Sequence, residues 1–371
     1  MTGAAQPDPR PWWRPAAPRR VVAAGVGLVL LLAAALVVTA RWGGRDAAPR
    51  VAAGLRLLVA GDPAPFVLDV DTGAARPVSG LPAGGDRSTH VESVGEHAVV
   101  LSRKGCRGSD CHANPDVYLV RHGATTATRL GAALDMEASR DGRGVWLLSR
   151  RDAAGCVIGQ VGLDGRQRRP ARPVPCEAVL IQELPGGLLL YGGGSGSGGG
   201  PWSALLGADG AVRRLPVVVD GVAGGDLVLS TVEPGRLVAL TDVGSGASHR
   251  LPWPSRLRGH VMGLVGGHPD GRLAHVAFYP ARDGAEQTLD VWLLDVATRG
   301  WRQLPGMPLH LAPSKPQLRW TADGRLLLLA GVAGEPAALV GVWRPGEPQV
   351  AVWHVPLPGA ELPRGFRFVI W

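Results

Sequence analysis

Lysine is almost missing from this chain of 371 residues: Lys104 and Lys315 are the only two. Phe (4), Tyr (3), Met (4) and Cys (4) are scarce as well. The net charge of +8 at pH 7 therefore rests on arginine, and the arginines are scattered rather than gathered into a dense run. A nucleic-acid face needs such a concentration of charge, so no nucleic-acid partner is expected. Several catalytic signatures are missing too. The ten histidines form no H-E-x-x-H or comparable cluster, and Ser195, Ser197 and Ser248 all miss the spacing of a G-x-S-x-G elbow. The run Gly192–Gly200 lacks the Lys-Ser/Thr ending of a phosphate loop and follows a strand without opening a helix, so it reads as a surface loop. No catalytic, cofactor-binding or metal-ligating residue is assigned.

Glycine (54) and proline (32) are abundant, with no collagen-like or low-complexity period. Such an excess belongs to turns. The stretch 318–358 shows what the turns connect. Leu318–Thr321, Arg325–Gly331, Ala337–Trp343 and Gln349–Val355 are short runs of Leu, Val and Trp bounded by Gly, Pro or Asp. That is the pattern of strands joined by hairpins. Variants of the unit recur, marked by a turn after each third strand that ends at Gly73, Gly123, Gly165, Gly210, Gly246, Gly300 and Gly346. The separations of 50, 42, 45, 36, 54 and 46 residues surround the roughly 40–50 residue period of propeller blades. The expected fold is therefore all-β, a seven-bladed β-propeller of four-stranded blades over residues 51–371.

The segments Ala138–Gly142, His268–Gly271 and Ala322–Gly324, each placed between a first and a second strand, resemble the x-x-P-D-G-x-x-L signature of WD40 and TolB-like propellers. Leu188–Gly194 and Leu293–Pro308 resemble kelch blades, and the latter is also similar to the tryptophan-docking motif of quinoprotein propellers. The GH and WD dipeptides of WD40 repeats are missing, so the likeness is one of fold. Residues 51–82 supply second, third and fourth strands (Leu55–Ala60, Phe66–Val70, Ala75–Val78) but no first, while Phe366–Trp371 is left over at the other end. Pairing the surplus with the shortfall closes the ring and removes two sheet edges.

Residues 1–20, with five prolines and four arginines, have nothing with which to build a core and are expected to be a disordered cytoplasmic tail. Val21–Thr39 is uncharged for nineteen residues, long enough for a helix to span a bilayer. Residues 21–40 are thus expected to form an uncleaved transmembrane helix, with 41–50 as a linker. A signal peptide cut after Val38-Thr39-Ala40 is the competing reading, disfavoured because its apolar region is usually roughly 7–15 residues. All four cysteines follow this segment in paired spacings, which suits an oxidising compartment. Local disulfides Cys106–Cys111 and Cys156–Cys176 are expected, in preference to a metal site enlisting His112. The N-terminus is then cytoplasmic and the propeller lies outside a single-pass cell-membrane anchor.

Asp141, Asp164, Asp209, Asp270 and Asp323 sit in turns that favour Asp for backbone reasons. Trp146, Trp202, Trp292, Trp320, Trp343 and Trp353 are expected to fill the space between blades. The functional expectation is a non-catalytic scaffold that docks a protein or ligand, with no cofactor. The partner-facing loops would include Lys104–Pro115, Gly192–Pro201 and Ala281–Gln287. Two alternatives stand beside it. One is a sensor signalling through the membrane helix. The other is a propeller enzyme of hydrolase, lyase or quinoprotein kind, which a cluster of His, Asp and Arg at the channel mouth would favour.

Overall fold

The computed structural model describes residues 54–59, 65–81, 90–102, 115–124, 126–152, 155–193, 200–257, 260–280, 287–311, 316–332, 336–357, 362 and 366–371. The expected membrane segment, the pair Cys106–Cys111 and most of the three long loops lie outside them. Strands account for almost all the regular structure. A single 3-10 turn, Ser255–Leu257, is the only helical element among the described residues.

The strands come in consecutive groups of four. The first begins with β1 (Arg56–Val59), β2 (Phe66–Asp69) and β3 (Ala75–Pro77). The second holds β4 (His90–Val94), β5 (His97–Ser102), β6 (Asp116–Val120) and β7 (Ala127–Ala132). The third is β8 (Asp135–Ala138), β9 (Gly144–Asp152), β10 (Gly155–Gly162) and β11 (Gln167–Val174). The fourth is β12 (Val179–Leu184), β13 (Gly187–Gly192), β14 (Trp202–Leu206) and β15 (Val212–Arg214). Then come β16 (Gly221–Gly224), β17 (Leu227–Glu233), β18 (Leu237–Asp242) and β19 (Ser248–Pro252). They are followed by β20 (His260–Gly267), β21 (Leu273–Pro280), β22 (Gln287–Asp295) and β23 (Trp301–Gln303), with β24 (Leu309–Leu311) as an addition on β22. The last full group is β25 (Gln317–Trp320), β26 (Leu326–Gly331), β27 (Ala337–Trp343) and β28 (Ala351–Pro356). β29 (Phe368–Ile370) returns to complete the first group, whose order is β29-β1-β2-β3.

Within each group the strands pair antiparallel, and in every group but the first they do so with their sequence neighbours, as a meander; in the first, β29 joins the meander β1-β2-β3 from the far end of the propeller. The groups at β16 and β20 are counted in one sheet because a single parallel pair, Val222↔Gly266, joins them. Burial falls from the middle of each group outward. β13, β26 and β27 are almost wholly buried, whereas β3, β11, β15 and β19 are mostly exposed. Strands covered on both faces read as continuous apolar runs, which is why LLLL and AALVGVW appear without alternation.

Apolar clusters fill the seams, each drawn from two consecutive groups. Val91 and Val100 meet Leu58 and Val369, and Val99 and Leu119 meet Met136 and Leu147. Leu188 packs with Ile158, Val228 with Leu189, and Phe278 with Leu240. Trp343 lies with Leu293, and Phe368 with Leu329 and Val340, which brings the last group against the first. Sheets stacked in this closed sequence form a β-propeller.

The seven glycine turns expected after third strands all lie there. Six of the glycines take φ between 71° and 99°, the left-handed region where a Cβ is penalised. The sixth turn differs: Arg299, at φ 60°, takes the left-handed position in place of Gly300. Asp141, Asp164, Asp209 and Asp270 each accept from the backbone N–H two residues on, at 2.8–3.0 Å, and Asp323 bonds Thr321 and Arg325. Four of the five thus hold the turn backbone, while Asp323 bonds side chains and Asp141 also accepts from Arg168. The strand expected over Gln349–Val355 starts later, at Ala351, because the Val350 N–H donates to Pro305 O of the neighbouring group at 3.0 Å.

Cys156 and Cys176 form a disulfide that brackets β11, with their Cα atoms 5.0 Å apart. Its loop is close to the length for which cross-linking stabilises by about 3 kcal/mol. A Cys156→Ser/Cys176→Ser variant is expected to lose about that much in urea unfolding, with a somewhat steeper slope because the unfolded chain is no longer cross-linked. An unaltered midpoint would show that β11 is held by its ladder alone.

Candidate ligand-binding channel

The first strands of six groups face a common cavity of about 1220 Å³. It is bordered by residues of β4, β8, β12, β16, β20 and β25, and by Arg367 just before β29. β4, β8 and β25 bring charged side chains to it. On β4, His90 and Glu92 border the cavity while Val91 and Val94 enter the core. Asp135 and Glu137 do so on β8, with Met136 buried behind them, and Arg319 does so on β25 beside the buried Leu318.

These side chains meet. Arg319 Nη1 donates to Glu92 Oε2 at 2.9 Å and Nη2 to Oε1 at 3.0 Å, a bidentate pair between the second and last groups. His90 Nε2 lies 2.6 Å from Glu92 Oε1, His90 Nδ1 3.6 Å from Asp135 Oδ1, and Arg367 Nη1 3.7 Å from Glu92 Oε1. Glu92 is only 7% exposed. Burial alone would raise its carboxyl, but the charge of Arg319 and the hydrogen bond and charge of His90 outweigh that and hold it well below the usual carboxylate range. His90 is likewise opposed by burial, yet the hydrogen bonds with Asp135 and Glu92 raise it. Glu137 goes the other way: burial, then the nearby Glu92 charge, push its carboxyl well up despite Arg319. The Asp135 carboxylate is engaged by backbone, Oδ2 accepting from Leu180 N–H at 2.8 Å and Oδ1 from Met136 N–H at 3.0 Å.

The other part of the wall is glycine-rich. Gly221 and Gly224 come from β16, and Gly263, Gly266 and Gly267 from β20. Gly266 pairs with His275 of β21, and a Cβ on Gly266 would fall 2.5 Å from His275 Cε1. The imidazole thus lies across the strand where only glycine leaves room, and it borders the cavity there. His275 is 2% exposed, neither ring nitrogen has a hydrogen-bond partner, and burial lowers its pKa to about 3. The Trp320 indole closes this corner, Nε1 donating to Gly266 O at 3.0 Å with its ring 4.7 Å from His268.

Of the strand tryptophans, Trp146, Trp292 and Trp343 are buried in the seams and Trp202 and Trp353 pack against them, as expected. Trp320 also borders the cavity. The ionic cluster was not singled out from sequence. Its signal was present in D-M-E before the Asp-Gly turn at 141 and in the Arg of L-R-W-T-A-D-G, charged residues at alternate positions of first strands.

Compared by sequence, the chain matches no family model and no curated protein. Among solved structures it resembles a functionally unknown protein from Desulfotomaculum acetoxidans, with a TM-score of 0.52 and 13% identity over 85% of this chain and 98% of that one. A putative 6-phosphogluconolactonase from Bacteroides uniformis follows at 0.51 and 12%, over 85% and 99%. TolB from Acinetobacter baumannii matches at 0.42 and 13%, over 86% and 70%. At such identities the likeness to the first two is one of fold, and the strand groups and seams above make that fold a β-propeller.

Proposed function

We propose that this chain is a seven-bladed propeller, anchored through Val21–Thr39 outside the cell membrane, that docks a protein or ligand at its channel without transforming it. Seven groups of four strands and a seam between every consecutive pair support the blade number. The uncharged run in the sequence supports the anchor. The observation carrying the docking reading is the state of the channel cluster. Glu92, Arg319 and His90 satisfy one another, and Asp135 is held by two backbone N–H groups. Groups so engaged shape and charge a binding surface instead of moving protons.

Val179, 45% exposed at the cavity border, is an apolar contact offered to a partner. A photo-crosslinking residue at Val179 in the full chain, irradiated on intact cells, is expected to give one discrete protein adduct that the same residue at Arg76, on an outer strand, does not. An identical pattern from both positions would end the docking proposal. A second reading, the enzyme, is favoured by Glu137, whose raised carboxyl is the form a general acid needs.

A further inference from the structure

We propose that the channel takes an organic cation, a protonated primary amine seated beside Glu137, with His275 as a further acceptor on the glycine-lined wall. The inference rests on the docking reading of the same cavity and names the chemistry of the occupant.

Charge is the first ground. The cavity is bordered by six carboxyl groups, those of Glu92, Asp135, Glu137, Glu177, Glu183 and Asp220. Only three guanidiniums, of Arg140, Arg319 and Arg367, face them. The chain as a whole is the reverse, with 39 basic against 31 acidic residues. An acidic cavity inside a basic protein concentrates cations and turns anions away. Arg319 offsets Glu92, on which both of its terminal nitrogens are used, and that leaves five carboxyl groups against Arg140 and Arg367.

Unsatisfied polar groups are the second ground. His275 is buried with two unpartnered ring nitrogens, and a buried polar group without a partner costs about 1–3 kcal/mol. Held neutral, its imidazole has a lone pair for an ammonium proton and none of the charge that would repel one. The wall beside it is glycine at Gly263, Gly266 and Gly267, where the Tyr279 ring, the His275 ring and the Ala223 backbone take the room a Cβ would need.

Glu137 couples the site to protons. It faces Glu92 and His90 from β4, Asp135 from its own strand, Arg319 from β25, Arg367 before β29 and Glu183 from β12. Its carboxyl is raised by burial and by Glu92, so an arriving ammonium ion favours the carboxylate and drives its proton into solvent.

The test is calorimetry on the full chain in mild detergent near pH 7. Its probes are 1,4-diaminobutane, an acetyl-Gly-Lys-Gly-amide peptide and inorganic phosphate. At least one amine is expected to bind, with a heat that depends on the buffer's ionisation enthalpy because a proton is released. Whichever amine binds more tightly identifies the source, a free amine or a partner's lysine. Glu137→Gln, checked for a melting temperature no lower than that of the unaltered chain, is expected to weaken binding tenfold or more and to abolish proton release. Should that variant not fold, proton release by the unaltered chain decides the matter. Binding of phosphate in preference to both amines, no amine binding, or amine binding unaffected by Glu137→Gln would each overturn the inference. The two readings separate cleanly. An adduct at Val179 that excess amine does not compete away leaves docking standing and removes the cation, whereas amine binding with no Val179-specific adduct does the reverse.

Discussion

A chain ending at Gly365 is expected to melt about 10–20 °C below the intact protein. β29 pairs Leu57↔Ile370, Leu58↔Val369 and Val59↔Phe368, and the Trp371 N–H donates to Arg56 O at 2.8 Å. Phe366, Phe368 and Val369 are all buried, in the clusters that join the first group to the last and to the second. Burial of each such side chain contributes about 1.5–3 kcal/mol. Three of them together contribute about 5–9 kcal/mol, comparable to the whole stability of a domain. For a chain this large each kcal/mol corresponds to about 2 °C, the lower end of the range for smaller domains. The truncation also bares the backbone edge of β1, so aggregation should accompany unfolding. Differential scanning calorimetry on both chains decides it. A truncated chain melting within 2 °C of the intact one would show that β29 does not close the ring.

The second large effect is expected at Glu92. Glu92→Ala leaves the Arg319 guanidinium and the raised His90 facing each other in the cavity with their shared carboxylate gone. Removing one partner of a buried ion pair costs about 3–5 kcal/mol. Replacing both members, as Glu92→Met with Arg319→Met, should cost much less, since the charge left unpaired is the expensive part. A double-mutant cycle in urea measures the coupling. A double loss equal to the sum of the losses of Glu92→Met and Arg319→Met taken singly would mean that the pair contributes nothing as a pair.

The pH profile gives a separate reading of the same pair. The Glu92 pKa is depressed on folding, so its contribution is fully present above its ordinary value of 4.5 and is lost as pH falls below it. His90 is raised on folding, so its contribution is present below its ordinary 6.5 and fades as pH rises through the folded value. Glu137 is raised, which makes the fold less stable as pH climbs above 4.5 toward its folded value. Glu92→Ala should therefore flatten the acid limb of the stability curve while Glu137→Gln lifts the neutral one.

The fold was legible because its determinants are local. Turn glycines, Asp-Gly corners and apolar runs report backbone geometry within a few residues of themselves, so the hairpins at Gly165 and Gly346 could be read directly. So could the closure, since a strand missing at one end and spare at the other is a matter of counting. The channel was harder. Glu92 and Arg319 are 227 positions apart, and neither stands out locally, because a lone charge in a short strand has the same pattern whether it meets solvent or a partner. His275 was still less visible. Its place depends on Gly266 across the ladder, and a glycine in a Gly-rich chain carries no mark of what lies over it.

The seam between β1 and β29 has a consequence in time. Leu57 is synthesised 313 residues ahead of its partner Ile370 (370 − 57). Every other group of four can form its hairpins as it emerges, since those pairings are nearest neighbours in sequence. The first group must wait for the entire chain with the β29 side of β1 unpaired. Contacts of such separation close slowly, because their loop entropy is paid before any reward. Until β29 has emerged the nascent protein is an open arc with one adhesive edge, and the arrival of that strand converts the arc into a ring.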